Sequence, residues 1–226
     1  MMRTGTAKLD YYLLRPVGAA GTPATGLLVE EFVLADDLSA VRLRSAAWTP
    51  ADGRWWSSAA FARAIRTDRQ LRARVTAIDR PTAETTYRRL SGAALPNEEA
   101  LRGHFYDDAP LASGKPLRLG IGSAVHRVLF AGEPDGDGVD RLRARLRLAE
   151  VPAAGGAPPG VIGTGRLRVN DTNLRWELRR VGGGAAWSID VTSEPTGSEA
   201  LRWMLRQLTD VARYHGLIPT TFDRLS

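Results

Sequence analysis

Apolar and polar positions in the first half of the chain follow two different periods. Stretches 9–16, 26–37 and 40–48 are short, rich in branched and aromatic residues and bounded by turn residues, which predicts three strands. Stretches 57–68, 81–92 and 97–105 have helical spacing and end signals. These signals are Ser57 or Ser58 at the first start, Pro81 and Gly92 around the second, and Asn97 with Glu98 and Glu99 at the third.

The second half changes to short alternating runs, near residues 117–130, 139–149, 161–169, 173–181 and 185–193. Gly, Pro, Asn and Asp fill the connections at 132–138, 152–160, 170–172 and 182–184. This pattern predicts an antiparallel β-meander of five strands.

The last element is an amphipathic helix over 196–215, with a capping box from Thr196 to Glu199 and a stop at Gly216. Its apolar stripe consists of Leu201, Met204, Leu205, Leu208, Val211 and Ala212. We expect this stripe to cover one face of the meander.

Together these elements predict an α+β protein. A mixed α/β region over 1–113 is followed over 114–226 by the antiparallel β-meander, which the C-terminal helix closes. The two regions form separate domains or pack as one, and the pattern leaves both open.

Composition narrows the functional classes. The 226 residues include no cysteine, which excludes disulfides, thiol catalysis and thiolate metal sites. The start lacks the apolar core of a signal peptide and no apolar run is long enough to span a membrane, so we expect a cytoplasmic protein without a membrane partner. Arginine dominates over lysine, with only Lys8 and Lys115 present, which is typical of a GC-rich bacterial gene. The net charge of +6 favours an anionic partner without identifying it.

The stretch RLRARLRLAE, residues 141–150, has arginine at every odd position from Arg141 to Arg147. Helical spacing of Leu142 and Leu146 permits a helix, but the strict alternation favours a strand. A strand would place Arg141, Arg143, Arg145 and Arg147 on one solvent-accessible face.

The same alternation predicts Arg166 and Arg168 on the outer face of the next strand, with Arg175 and Arg179 outward on the strand after it. Arginines would then lie beside arginines, which favours an anion on this face. The simpler interpretation is a solvated surface neutralised by nearby acids. The predicted anion-binding residues are Arg141, Arg143, Arg145, Arg147, Arg166 and Arg168.

Trp203 and Tyr214 follow helical spacing on the side of the last helix opposite its apolar stripe. Two interpretations remain open. The rings either pack against the first half of the chain or form part of an interface with a protein partner, because exposed aromatics beside arginine are typical of binding hot spots.

Catalytic and cofactor signals are weak. His104, with Asp107 and Asp108 close behind it, is the single acid–base candidate, and three histidines far apart in sequence predict no metal site. DGDGVD lacks the ligands of a calcium loop, and GIGS and GTGR lack the rest of a dinucleotide fingerprint, so we expect no cofactor.

We therefore expect a non-enzymatic binding or assembly protein that uses a basic sheet face and an aromatic helix face to dock a protein partner. The alternatives are a nucleic-acid-binding protein that contacts the phosphate backbone, and an enzyme with a site near His104 and Asp107. The sequence predicts neither the partner nor the oligomeric state.

Overall fold

The computed structural model describes residues 8–16, 22–111, 124–134, 136–150, 160–184, 186–195 and 199–225. These residues form two compact units. The first contains residues up to Val33 together with Val41–Leu111, and the second contains Leu34–Ala40 together with the residues from Ala124 onward. Six helices and eleven strands in two antiparallel sheets make this an α+β protein within the described ranges, as predicted.

The first sheet has the strand order β4-β3-β2-β1-β5, and β6 also pairs with β3. Its strands are β1 (Asp10–Leu14), β2 (Gly26–Leu34), β3 (Ala40–Trp48), β4 (Trp55–Ser57), β5 (Val75–Ile78) and β6 (Asp108–Pro110). Its helices are α1 (Ala59–Thr67), α2 (Arg69–Arg72), α3 (Arg80–Ser91) and α4 (Glu98–Arg102).

The predicted helix ends are confirmed for α3 and α4. Gly92 ends α3 in the left-handed conformation at φ 75°, which glycine adopts without steric cost. The Asn97 side chain accepts a hydrogen bond from the Ala100 backbone N–H and so caps α4. The core of this unit is built around buried side chains of β1 and β2, with Trp48, Trp55 and Tyr87 packed as an aromatic group.

The second sheet has the strand order β11-β7-β10-β9-β8. Its strands are β7 (Val125–Ala131), β8 (Val161–Val169), β9 (Thr172–Val181), β10 (Ala186–Glu194) and β11 (Ile218–Leu225). Its helices are α5 (Gly138–Arg145) and α6 (Glu199–Tyr214). The turns predicted at 170–172 and 182–184 join β8 to β9 and β9 to β10, whereas most of the predicted connection at 152–160 lies outside the described residues.

The five-strand meander is wrong in two respects. Residues 138–145 form α5 instead of a strand, and β11 supplies the fifth strand by pairing with β7. The helix forms because Leu142 and Leu146, one turn apart, are both buried while Ala144 between them is exposed. The strand β11 is not among the predicted elements; its Pro219 lies beside a register irregularity on an edge strand, where a missing N–H is tolerated.

The C-terminal helix is confirmed as α6, and it contacts β10 and β11. Leu201, Met204, Leu205, Leu208 and Ala212 of the predicted stripe are buried, and Val211 is half-buried. Thr196, the first residue of the predicted capping box, lies outside the described residues.

Candidate functional site

The arginine row at 141–147 does not form a strand face. Arg141, Arg143 and Arg145 lie on α5, and Arg147 lies in the turn after it with φ 52°. A shared sheet face for these four residues is therefore wrong, because side chains two residues apart on a helix are separated by about 200° and point to different sides.

Two of these four arginines form ion pairs with nearby acidic residues. Arg141 pairs with Asp137 one turn earlier at 2.6 Å, and Arg143 pairs with Glu150 at 3.2 Å and Asp140 at 3.7 Å. Arg145 and Arg147 are exposed and have no ion pair to a carboxylate in the described part of the chain.

The outer face of β8 and β9 does carry adjacent arginines. Arg166 lies directly opposite Arg175 in the β8–β9 register, and Arg168 is two residues along the same strand. All three are exposed, and none pairs with a described carboxylate. We call Arg166, Arg168 and Arg175 the hairpin arginines, and two of them are members of the predicted anion-binding set.

By contrast, the positive charge of the arginines at the centre of the same outer face is neutralised by a carboxylate. Asp190 on β10 accepts two hydrogen bonds from Arg127, at 2.7 and 2.6 Å, and one from Arg179 at 3.5 Å. The Asp190 hydrogen bonds raise the pKa of Arg127 against the opposing effect of burial. This bidentate pair fixes β7 to β10 and leaves little cationic charge for a ligand.

A groove of about 480 Å³ opens beside this pair, lined by Arg127, Arg179, Arg180 and the glycines 160 and 182–184. Arg180 is held by Glu133 at 2.7 Å and stacks over the Trp187 ring at 4.4 Å from its centroid. Because the arginines of this groove contact carboxylates of their own unit, we assign the groove to the structure of the sheet.

The outer side of α6 presents the predicted aromatic pair. Trp203 is 49% exposed and Tyr214 is 48% exposed, and Gln207 between them is also exposed. The two rings lie on one side of the helix, separated by three turns, or about 16 Å along its axis. The buried stripe of α6 faces the opposite way.

The residue after α6, His215, has two arginines of α5 in its electrostatic environment. His215 follows Tyr214, and its pKa is lowered first by burial and then by the charges of Arg141 and Arg145. α5, which carries these two arginines, contacts α6. The sequence pattern placed the arginines and the aromatics on separate surfaces, because a strand at 141–147 would have turned its arginines away from the sheet face that the helix covers.

The three residues of the acid–base candidate make separate contacts in the structure. Asp108 accepts hydrogen bonds from Arg42 and Arg44, each at 2.8 Å, which hold its pKa below the usual aspartate range. The Asp107 backbone N–H donates to Ser57 Oγ, and the His104 ring packs edge-on to Tyr106. Among residues 22–111, no hydrogen bond joins His104 to either aspartate.

A partly buried polar network in the first unit has no counterpart among the predicted sites. The Tyr11 hydroxyl accepts a hydrogen bond from Arg80 at 2.7 Å and donates one to Glu98 at 3.3 Å. Burial, with Glu98 nearby, raises the pKa of Tyr11 to about 12. Nothing in the apolar run around Tyr11 indicates these partners, which come from α3 and α4.

Comparison with protein-family models, with curated proteins and with solved structures gave no match. In the part of the chain that the structure describes, none of the helices is both long and apolar enough to cross a bilayer.

Proposed function

We propose that the protein is a non-enzymatic binding protein that docks an acidic surface of a second protein against the outer side of α6. The observation that carries this proposal is the half-exposure of Trp203 and Tyr214 on one side of a helix whose other side is buried. Burial of these rings against a partner would remove apolar surface from water, which favours binding.

Charge indicates the kind of partner. α5, whose Arg145 is exposed and has no ion pair to a described carboxylate, contacts α6, and Arg202 is exposed on α6 itself. Aromatic rings beside arginines are the composition of interface hot spots, and positive groups at the rim favour an acidic partner. In this proposal the protein acts in a bacterial cytoplasm, and the absence of cysteine supports that compartment.

A photoreactive amino acid at position 207 tests the proposal, because Gln207 is exposed between the two aromatics and both remain intact. We expect a crosslinked adduct in cells that protease removes and nuclease does not. The same amino acid at position 88, on α3 of the first unit, is the matched control, since Arg88 is equally exposed and lies outside the surface.

The identified partner then allows a quantitative test. Trp203→Ala should weaken its binding by roughly 30-fold, the loss of a hot-spot residue, while the melting curve of the protein stays nearly unchanged. Binding should also weaken as salt rises, because the partner is acidic. Unchanged affinity after Trp203→Ala, or an adduct that nuclease destroys, would rule out the proposal, the latter in favour of a nucleic-acid partner.

A further inference from the structure

The second sheet ends at β8, which has β9 on one side. On its other side the strand forms a single bridge to Ala149. The Ala149 N–H donates to the Thr164 carbonyl at 2.8 Å, and the Thr164 N–H donates to the Ala149 carbonyl at 3.2 Å. A chain running antiparallel to β8 therefore already pairs with this edge at one point.

The backbone groups beyond this bridge follow from strand geometry. The N–H and C=O of successive residues point to opposite sides of a strand, so Arg166 and Arg168 direct theirs the same way as Thr164, away from β9. The β8–β9 register is regular from Gly163 to Val169, so no bulge reverses this direction. The described residues supply no backbone partner for Arg166 or Arg168 on that side.

The side chains along this edge have a definite chemical pattern. Arg166 and Arg168 lie on the outer face beside Arg175, without an ion pair in the described ranges. Leu167 lies on the opposite face and is 37% exposed. Residues 166–168 of this edge are therefore basic, apolar and basic in order. A strand with acidic, apolar and acidic residues in the opposing positions would complement them.

We propose that the edge of β8 at residues 166–168 binds an extended acidic segment of a partner protein as an added antiparallel strand. Its carboxylates lie opposite Arg166 and Arg168, and an apolar side chain between them covers Leu167. Backbone hydrogen bonds supply affinity, and the alternating side chains supply specificity. Charge-assisted hydrogen bonds to guanidinium groups add to both.

Charge disfavours pairing with the β8 edge of a second copy of this chain. Two β8 edges paired antiparallel would bring arginines opposite arginines, and like charges directly opposite destabilise a sheet. The site is distinct from the α6 surface, so it stands or fails independently of the function proposed above.

Amide hydrogen exchange of the full chain, followed residue by residue by NMR, tests the edge directly. The probe is a capped synthetic peptide of sequence TEVEVET. In the free protein the Arg166 and Arg168 amides should exchange fast while the Leu167 amide, which faces β9, is protected. Excess peptide should slow exchange at Arg166 and Arg168 and leave Leu167 unchanged. Protection of both arginine amides in the free protein would overturn the proposal.

Two controls separate strand addition from simple charge attraction. The same peptide N-methylated at its glutamates keeps every charge but loses the donors that face β8, so it should give no protection. Arg166→Gln with Arg168→Gln should weaken binding of the unmodified peptide about tenfold, as expected for two exposed ion pairs. Arg88→Gln with Arg89→Gln removes the same charge from exposed positions of α3 and should leave binding unchanged.

Equal binding of the N-methylated and unmodified peptides would overturn the proposal, as would tighter binding of a single-stranded oligonucleotide without amide protection. The second result would identify the hairpin arginines as a phosphate-contacting surface. Because the α6 crosslink does not involve β8, failure here leaves that test unaffected.

Discussion

Arginines in the two units have opposite surroundings. In the first unit, Arg66 reaches from α1 to Glu30 on β2 with two hydrogen bonds, at 3.0 and 2.8 Å, and the two side chains are 6% and 0% exposed. In the second unit, the hairpin arginines lie in solvent without carboxylate partners among the described residues. The same residue type therefore serves the fold in one place and is available to a ligand in the other, and exposure together with pairing separates the two roles.

The largest effect should come from breaking the buried pair. Arg66→Met leaves the Glu30 carboxylate buried without its partner, which should lower the free energy of unfolding by about 3–5 kcal/mol. Urea unfolding of the purified chain measures it. The exposed neighbour Arg63 on α1 is the control, and Arg63→Ala should change stability by less than about 0.5 kcal/mol.

Adding Glu30→Leu to Arg66→Met removes the stranded charge and should recover much of the loss. If the double variant is no more stable than Arg66→Met, the cost lies in packing, and the contrast between the two sets of arginines would not rest on charge pairing.

A second, smaller loss of stability should come from the face of β8 that packs on Trp176. A Cβ on Gly165 would collide with the indole of Trp176, which cannot move freely because its N–H donates to the Leu146 carbonyl at 3.0 Å. Gly165→Ala should therefore cost about 1–3 kcal/mol in thermal or urea unfolding. Trp176→Leu should restore part of that loss when combined with Gly165→Ala, and purely additive losses would contradict the proposed collision.

The sequence predicts an element of the fold where its local pattern fits one kind of secondary structure, and it does not where the pattern fits two. Local signals sufficed for β1, β2, β3 and α6, whose patterns match one period only. At 141–147 the strand and helix periods both bury Leu142 and Leu146, so the local pattern fits either element, and the structure exposes Ala144 as a helix does.

The candidate site also combines features that local patterns predict with features that depend on residues distant in sequence. Exposure of Trp203 and Tyr214 follows from helical spacing, and the outward direction of Arg166 and Arg168 follows from alternation. Which arginines lack a carboxylate could not be predicted, because Asp190 and Glu30 neutralise residues distant in sequence. The position of β8 at the edge of the described sheet depends on strand order, which no local pattern encodes.

The effect of paired arginines should also be measurable as a lowered pKa of their carboxylate partner. Arg44 and Arg42 hold the pKa of Asp108 below its usual value, so this carboxylate stabilises the fold above the pKa of the unfolded chain, and the contribution is lost as pH falls through the folded pKa. NMR titration of the Asp108 carboxyl should give a midpoint below that of an ordinary aspartate. Arg44→Gln should move it upward, and an unmoved midpoint would show that the pairing has no energetic consequence.

The smallest effect on stability should come from the hairpin arginines. Replacing Arg166, Arg168 and Arg175 together with Gln removes no ion pair to a described carboxylate and relieves the repulsion between Arg166 and Arg175, which are direct cross-strand neighbours. We expect the free energy of unfolding to change by less than about 0.5 kcal/mol at physiological salt, with any gain appearing at low salt where screening is weak. Arg127→Gln on the same face is the matched comparison, since it leaves Asp190, whose side chain is 7% exposed, without its bidentate partner and should cost clearly more. If the triple variant is the less stable of the two, the hairpin arginines hold the sheet together, and their exposure gives no reason to assign them a ligand.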